Sequence, residues 1–372
     1  MRRTPRIARP TCQLAAALVS TILASSAPAE WTIETIAGIG KPGAFMGDDS
    51  FAMDVPVDLP FGVEIGPGGA LYITSVGQHR VLRLDPSSGK ISSVAGSGVK
   101  GYAGDGGVAT RALLNEPYEV RFDSQQNMYF VEMQNHLIRR VDAASGTVST
   151  VAGNPRDGFG GDNGLALTAQ FRQPHSIAFD DRDNLYVADI GNHRIRRIDT
   201  KTGRIVSIAG NGELELPTDG LKAQGRPIMG PRALAVAGRM LWIALREGNS
   251  VWRLDLDAGT IHHVAGTGQA GYSGDGGPAK SATFNGPKGI AATPEGLVYV
   301  VDSENQAIRR IDTASGQIVT VAGSGPKSRG FAGQRSAALS AKVDRPHGIS
   351  LAPGGGVYIG DTNNHRVRWI KP

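Results

Sequence analysis

The chain has 372 residues, with 39 Lys and Arg, 34 Asp and Glu, and one cysteine. Arg2, Arg3, Arg6 and Arg9 open the sequence, so beyond residue 29 only 35 basic side chains face 34 acidic ones, and overall charge gives no footprint for nucleic acid. Cys12 belongs to the same opening segment, which excludes disulfides, thiolate metal ligands and a cysteine nucleophile from residues 30–372.

The four arginines precede an apolar run, LAAALVSTILA (Leu14 to Ala24), and then Ala27-Pro28-Ala29. A basic start, a short hydrophobic core and an A-x-A site predict a secretory signal peptide over residues 1–29. The run is too short to span a bilayer, and no other segment approaches the necessary length. The expectation is a periplasmic or secreted protein that is not membrane-spanning and is held together by core burial alone.

Next comes an isolated strand, WTIETIAG (Trp31 to Gly38), and then a repeat. The tripeptide [IV]-A-G begins at Ile36, Val94, Val151, Ile208, Val264 and Val321, and a strand-opening proline recurs at Pro60, Pro117, Pro174, Pro231, Pro287 and Pro346, at intervals of 56 to 59 residues. A constant period of this size marks a repeat architecture. One copy, PHSIAFDDRDNLYVADIGNHRIRRIDTKTGRIVSIAG (Pro174 to Gly210), divides into four short strands separated by Asp/Asn/Gly turns. Helical i, i+3, i+4 patterning is absent. The reading is an all-β, six-bladed propeller of four-stranded antiparallel blades filling residues 30–372 as one monomeric domain. The last copy, ending HRVRWIKP, stops after its third strand, so the N-terminal strand is expected to complete that blade and close the ring.

Each recurring motif has an architectural reading. The blade linkers GYAGDGGVA (Gly101 to Ala109), GFGGDNGLA (Gly158 to Ala166) and GYSGDGGPA (Gly271 to Ala279) lack a Walker lysine, and one carboxylate per loop is too few for tight calcium. Asp105, Asp162 and Asp275 are expected to cap turn amides. In D-x-x-N-H-R, Asp189, Asn192 and His193 suit a tight turn between second and third strands, as do Asp361, Asn364 and His365, and in part Glu132, Asn135 and His136. The aromatic column Tyr72, Tyr129, Tyr186, Trp242, Tyr299 and Tyr358 reads as inter-blade packing. Arg83, Arg140, Arg197, Arg253 and Arg310 read as a solvated face of the third strand.

The P-x-[GS]-[IV]-A strand, the Y-[IV]-x-D-x-x-N-H-R-[IV]-R hairpin and the G-D-G-G-P-A linker resemble NHL repeats. That resemblance covers residues 30–372 and implies a propeller of a family that includes protein-binding platforms, RNA binders and a few enzymes.

Alternating strand directions bring the start of the first strand, the second-to-third turn and the linker to one face. The residue after each recurring proline then rings the channel mouth: Phe61, Tyr118, His175, Arg232, Lys288 and His347. This column varies where its neighbours repeat, which is where function can be grafted. Gluconolactonase-like propellers, which resemble the chain in blade number, hold a divalent metal with Glu, Asn and Asp, none of which stands here. Pro174-His175-Ser176-Ile177 and Pro346-His347-Gly348-Ile349 resemble the zinc-histidine strands of peptidylglycine amidating lyase, but no third ligand stands in place. No cofactor is expected. The reading is a binding platform for a protein or small anionic ligand, with Tyr118, His175, Arg232, Lys288 and His347 as site residues; the rival is a lyase or hydrolase using the same ring. Arg232 and Lys288 either attract an anion or neutralise Glu132, Asp189, Asp302 and Asp361 at the second-strand ends. Three residues further along the first strand, Glu64 and Arg121 are the only charges in their column and are expected to pair.

Overall fold

A computed structural model describes Met1 and residues 30–372; the predicted signal peptide lies outside the described residues. The described residues form six antiparallel sheets. Blade three is typical, with strands Pro174–Phe179, Asn184–Asp189, Arg194–Asp199 and Arg204–Ala209 running from the axis outward. The first strands of successive blades touch in turn, and Ile349–Leu351 of blade six returns to Pro60–Ile65 of blade one. The ring is closed as the sequence predicts. Thr32–Ala37 pairs antiparallel with Arg366–Lys371 and supplies the outer strand of blade six.

The second strands are buried along nearly their whole length, as in Leu71–Ser75 and Met128–Glu132, because each blade is packed between two neighbours. The aromatic column shows the result: Tyr72 packs edge-on to Phe122 of the following blade at 4.6 Å, and Tyr129 to Phe179 at 4.9 Å. Arg83, Arg140, Arg253 and Arg310 are half-buried and Arg197 is exposed, in keeping with a solvated face.

A different arginine column is fully buried. Arg139, Arg196, Arg309 and Arg368 have 0 % exposure. Each meets the acid ending its own second strand: Arg139 with Glu132 at 2.9 Å, Arg196 with Asp189 at 3.7 Å, Arg309 with Asp302 at 3.4 Å and Arg368 with Asp361 at 3.2 Å. These acids also accept the amide of the residue two before the ring proline and the side-chain amide of the turn Asn, as Asp302 does from Asn285 and Asn305, both at 2.8 Å. The D-x-x-N turn therefore staples linker to blade.

The linker aspartates correct the sequence reading. Asp162 does accept an amide, from Ser207, but Asp105, Asp162 and Asp275 also take the buried guanidiniums of Arg139, Arg196 and Arg309 at 2.7, 2.7 and 3.0 Å. A guanidinium taken wholly out of water needs several oxygens around it, and one turn acid is not enough. In blades two, three and five the glycine-rich linker brings the second, and in blade six it brings the Gly333 carbonyl to Arg368.

Candidate functional site

The mouth ring is positioned by three local devices. The residue before each ring proline lies in left-handed backbone: Leu59, Glu116, Gln173 and Arg345 have φ of 48°, 54°, 49° and 46°, and Gly230 and Gly286 complete the set. That conformation is costly for a side-chain-bearing residue and must be held from outside. The turn residue of the preceding blade holds it: His79 Nδ1 accepts the Glu116 amide, His136 that of Gln173, and His193 that of Gly230, at 3.2 to 3.4 Å. Asn249 and Gln306 do the same with a side-chain amide oxygen, for Gly286 at 2.9 Å and Arg345 at 2.7 Å. The third device is a register shift just after the proline in blades one to five, which frees the next residue from the ladder. A bulge of this kind re-aims a side chain.

The ring residues converge accordingly. Phe61 stacks on His347 with centroids 4.0 Å apart and lies 4.5 Å from Tyr118, which meets His175 edge-on at 4.9 Å. Arg232 reaches past blade three, placing its guanidinium carbon 5.6 Å from the Tyr118 ring centroid. His175, Arg232, Lys288 and His347 are all buried.

Their protonation follows from their partners. His175 Nδ1 lies 2.6 Å from the Gln173 carbonyl and His347 Nδ1 lies 2.9 Å from that of Arg345. A carbonyl accepts, so Nδ1 carries the proton and Nε2 is left as an acceptor. Burial, together with the charges of Arg232 and Lys288, pushes both imidazoles well below their ordinary range, so both are neutral at pH 7. Burial also lowers Lys288 to about 8, against the pull of Glu304 at 2.6 Å. Arg232 is lowered to about 10, again chiefly by burial.

The two cations are not equivalent. Glu304 collects Lys288, Arg345 at 3.0 Å and Arg329 at 3.1 Å. Arg232 has no hydrogen bond or ion pair among the described residues, although Glu119 and Glu247 act on it from further away. The alternative in which Arg232 and Lys288 neutralise the four second-strand acids is overturned, because those acids are taken by Arg139, Arg196, Arg309 and Arg368. Beside the ring, Arg246, Glu247, Asn249, Lys288, Glu304 and Arg345 line a cavity of about 360 Å³. Among the described residues, no three His, Cys, Asp or Glu side chains converge as a metal set.

Sequence reasoning missed Glu304, Glu247, Arg246 and Arg345, which come from turns where the repeats differ. It also missed Glu119. The column next to the ring reads Gly62, Glu119, Ser176, Ala233, Gly289, Gly348, so one large acid among five small residues was the available signal. The column is small because first strands converge there: a Cβ on Gly289 would lie 2.2 Å from the His347 carbonyl oxygen, and one on Gly348 2.1 Å from that of Phe61.

The profile of the NHL repeat matches residues 171–198 and 344–370, and that of the teneurin NHL domain matches residues 254–329. The chain carries NHL repeats within a six-bladed propeller. It is 27 % identical over 292 residues to Protein SUPPRESSOR OF QUENCHING 1, chloroplastic, of Arabidopsis thaliana, covering 75 % of this chain and 27 % of that protein. To NHL repeat-containing protein 2 of Bos taurus it is 26 % identical over 328 residues, covering 80 % and 44 %. It thus spans less than half the length of either relative. Among solved structures, the NHL propeller resembles an auxiliary nutrient binding protein from Bacteroides thetaiotaomicron, with a TM-score of 0.67 at 16 % identity, covering 92 % of this chain and 76 % of that one. It also resembles a streptogramin B lyase, with a TM-score of 0.54 at 15 % identity, covering 92 % and 98 %. These likenesses show the NHL propeller's fold, which one binding protein and one lyase share.

Proposed function

We propose that the protein is an exported binding protein that takes a small anionic ligand at the channel mouth, with Arg232 as its principal contact. The observation that carries this is the buried, unpartnered guanidinium of Arg232. A cation out of water without a counterion is expensive, and a carboxylate placed against its planar donors returns most of that cost. The neutral Nε2 acceptors of His175 and His347 suit hydroxyl or N–H donors on the same ligand, and the aromatic faces of Phe61 and Tyr118 suit its carbon skeleton. Lys288, shared with Glu304, is the secondary contact. Export rests on the basic-apolar-AxA pattern of residues 1–29.

A panel of small carboxylates, phosphate and sulfate, read by thermal shift, tests the proposal. At a hundred times its Kd a ligand adds about 2.7 kcal/mol of stability. An anion that stabilises the parent should lose most of that effect in Arg232→Ala and part of it in Lys288→Ala. Its affinity should weaken as pH rises through about 8, where Lys288 sheds its proton, while Arg232 stays charged to about 10. No anion stabilising the parent more than Arg232→Ala would refute the reading.

A further inference from the structure

The other end of the axis is built differently from the mouth. A cavity of about 330 Å³ opens there, and its wall includes the column Glu64, Arg121, Ala178, Ala235, Ala291 and Ser350. Its two sides contrast in chemistry. In that column blades three, four and five contribute a methyl group each, while blades six, one and two contribute a hydroxyl, a carboxylate and a guanidinium; Ile65, Phe122, Phe179, Val236, Ile290 and Leu351 line most of the rest.

The expected Glu64–Arg121 pair is present at 3.3 Å, but it is not the stronger bond. Arg121 is committed to Glu119 at 2.6 Å and to the Val120 carbonyl at 2.8 Å. Two carboxylates therefore share one guanidinium, and Glu64 is the one left over. Its partners are Arg121 at 3.3 Å and the Ser350 hydroxyl, and its side chain keeps 26 % exposure. For inter-blade packing alone, the Glu119–Arg121 pair would suffice. The Glu64–Arg121–Glu119 cluster thus holds one carboxylate more than its guanidinium, and Glu64, facing the cavity across from three alanines, is the more loosely held.

We propose that this cavity is a second ligand site, for a small organic cation such as a primary amine, with Glu64 receiving the ammonium and the Ala178–Ala235–Ala291 wall receiving the apolar body. The site is separate from the mouth. Between them lies the column of Gly62, Glu119, Ser176, Ala233, Gly289 and Gly348, where the first strands approach too closely for a side chain at Gly62, Gly289 or Gly348.

The test is calorimetric titration of the parent with n-butylammonium at pH 7, with butyrate and n-butanol as probes of the same shape and different charge. The expected result is saturable binding of butylammonium and none of butyrate at this site. Glu64→Gln, which leaves Arg121 paired with Glu119, should weaken binding tenfold or more. Ala235→Leu, which fills the apolar side without touching charge, should weaken it as well, while Arg232→Ala should leave it unchanged. Absence of saturable butylammonium binding to the folded parent, or equal affinity in Glu64→Gln, would overturn the proposal. Loss of binding in Arg232→Ala alone would assign the amine to the mouth and also overturn it.

Discussion

Blades two, three, five and six bury an arginine in the third strand, whereas blades one and four carry Leu82 and Trp252 at that position. The difference extends to its partners. Where the arginine is present, the second strand ends in Glu132, Asp189, Asp302 or Asp361; where it is absent, the strand ends in Ser75 or Leu245. Blades one and four keep a linker aspartate, and there it takes an amide in place of the buried arginine: Asp48 that of Ser93 at 2.7 Å and Asp219 that of His263 at 3.1 Å, with Lys280 at 3.4 Å. The buried third-strand arginine and its second-strand acid thus appear together or not at all. The physical reason is that either partner alone would be an uncompensated charge out of water, whereas an apolar pair of similar volume costs little.

Breaking one set should have the largest effect. Arg309→Leu leaves Asp302 fully buried without its cation and should cost about 3–5 kcal/mol in urea denaturation. Importing blade four's solution, as Arg309→Trp with Asp302→Leu and Asn305→Gly, should recover most of that loss. A triple variant as unstable as the single one would show that the two kinds of blade are not interchangeable.

A smaller effect concerns pH. Burial raises Asp302 to about 7 and Asp189 and Asp361 to about 6, against their hydrogen bonds and arginines, compared with about 3.9 for an unfolded aspartate. Between those values the folded state holds protons that the unfolded chain has released. Stability from these groups is therefore greatest near pH 4 and falls as pH rises to 7, by at most about 1.4 kcal/mol per pH unit for each carboxylate. The triple variant, which lacks Asp302, should show a shallower slope than the parent across this window. Parallel slopes would refute the assignment.

The smallest effect should come from the inter-blade latches, where blades again differ in residue but not in bond. His193→Asn, which copies Asn249, should stay within about 0.5 kcal/mol of the parent. His193→Ala leaves the Gly230 amide without its acceptor and should cost about 1 kcal/mol. Equal melting of parent and His193→Ala would mean the latch contributes nothing.

The ring at the mouth was legible because the repeat supplies its own control: a position that varies among six otherwise similar strands stands out. Glu64 and Arg121 were legible for the same reason. Glu304 and Arg345 were not, because they lie in a turn and a linker that differ between copies, and no column singles them out. The buried arginines were missed for the opposite reason. Arg139, Arg196, Arg309 and Arg368 recur as regularly as the neighbouring solvated column, and polarity alone does not tell which side of a strand lies under a linker.

What the sequence determined by itself is therefore periodic: six blades, four strands in each, closure by the N-terminal strand, and the one first-strand column that varies among the copies. All of these follow from a period near 57 residues and from alternation along strands. The tertiary structure alone decided which charges are spent and which are spare. Lys288 and Arg232 look alike in sequence, yet one lies 2.6 Å from Glu304 and the other has no bonded partner among the described residues. Glu64 and Glu119 differ likewise in their hold on Arg121, at 3.3 and 2.6 Å. Pairing depends on distances between residues from different blades, which the order of residues along the chain does not contain.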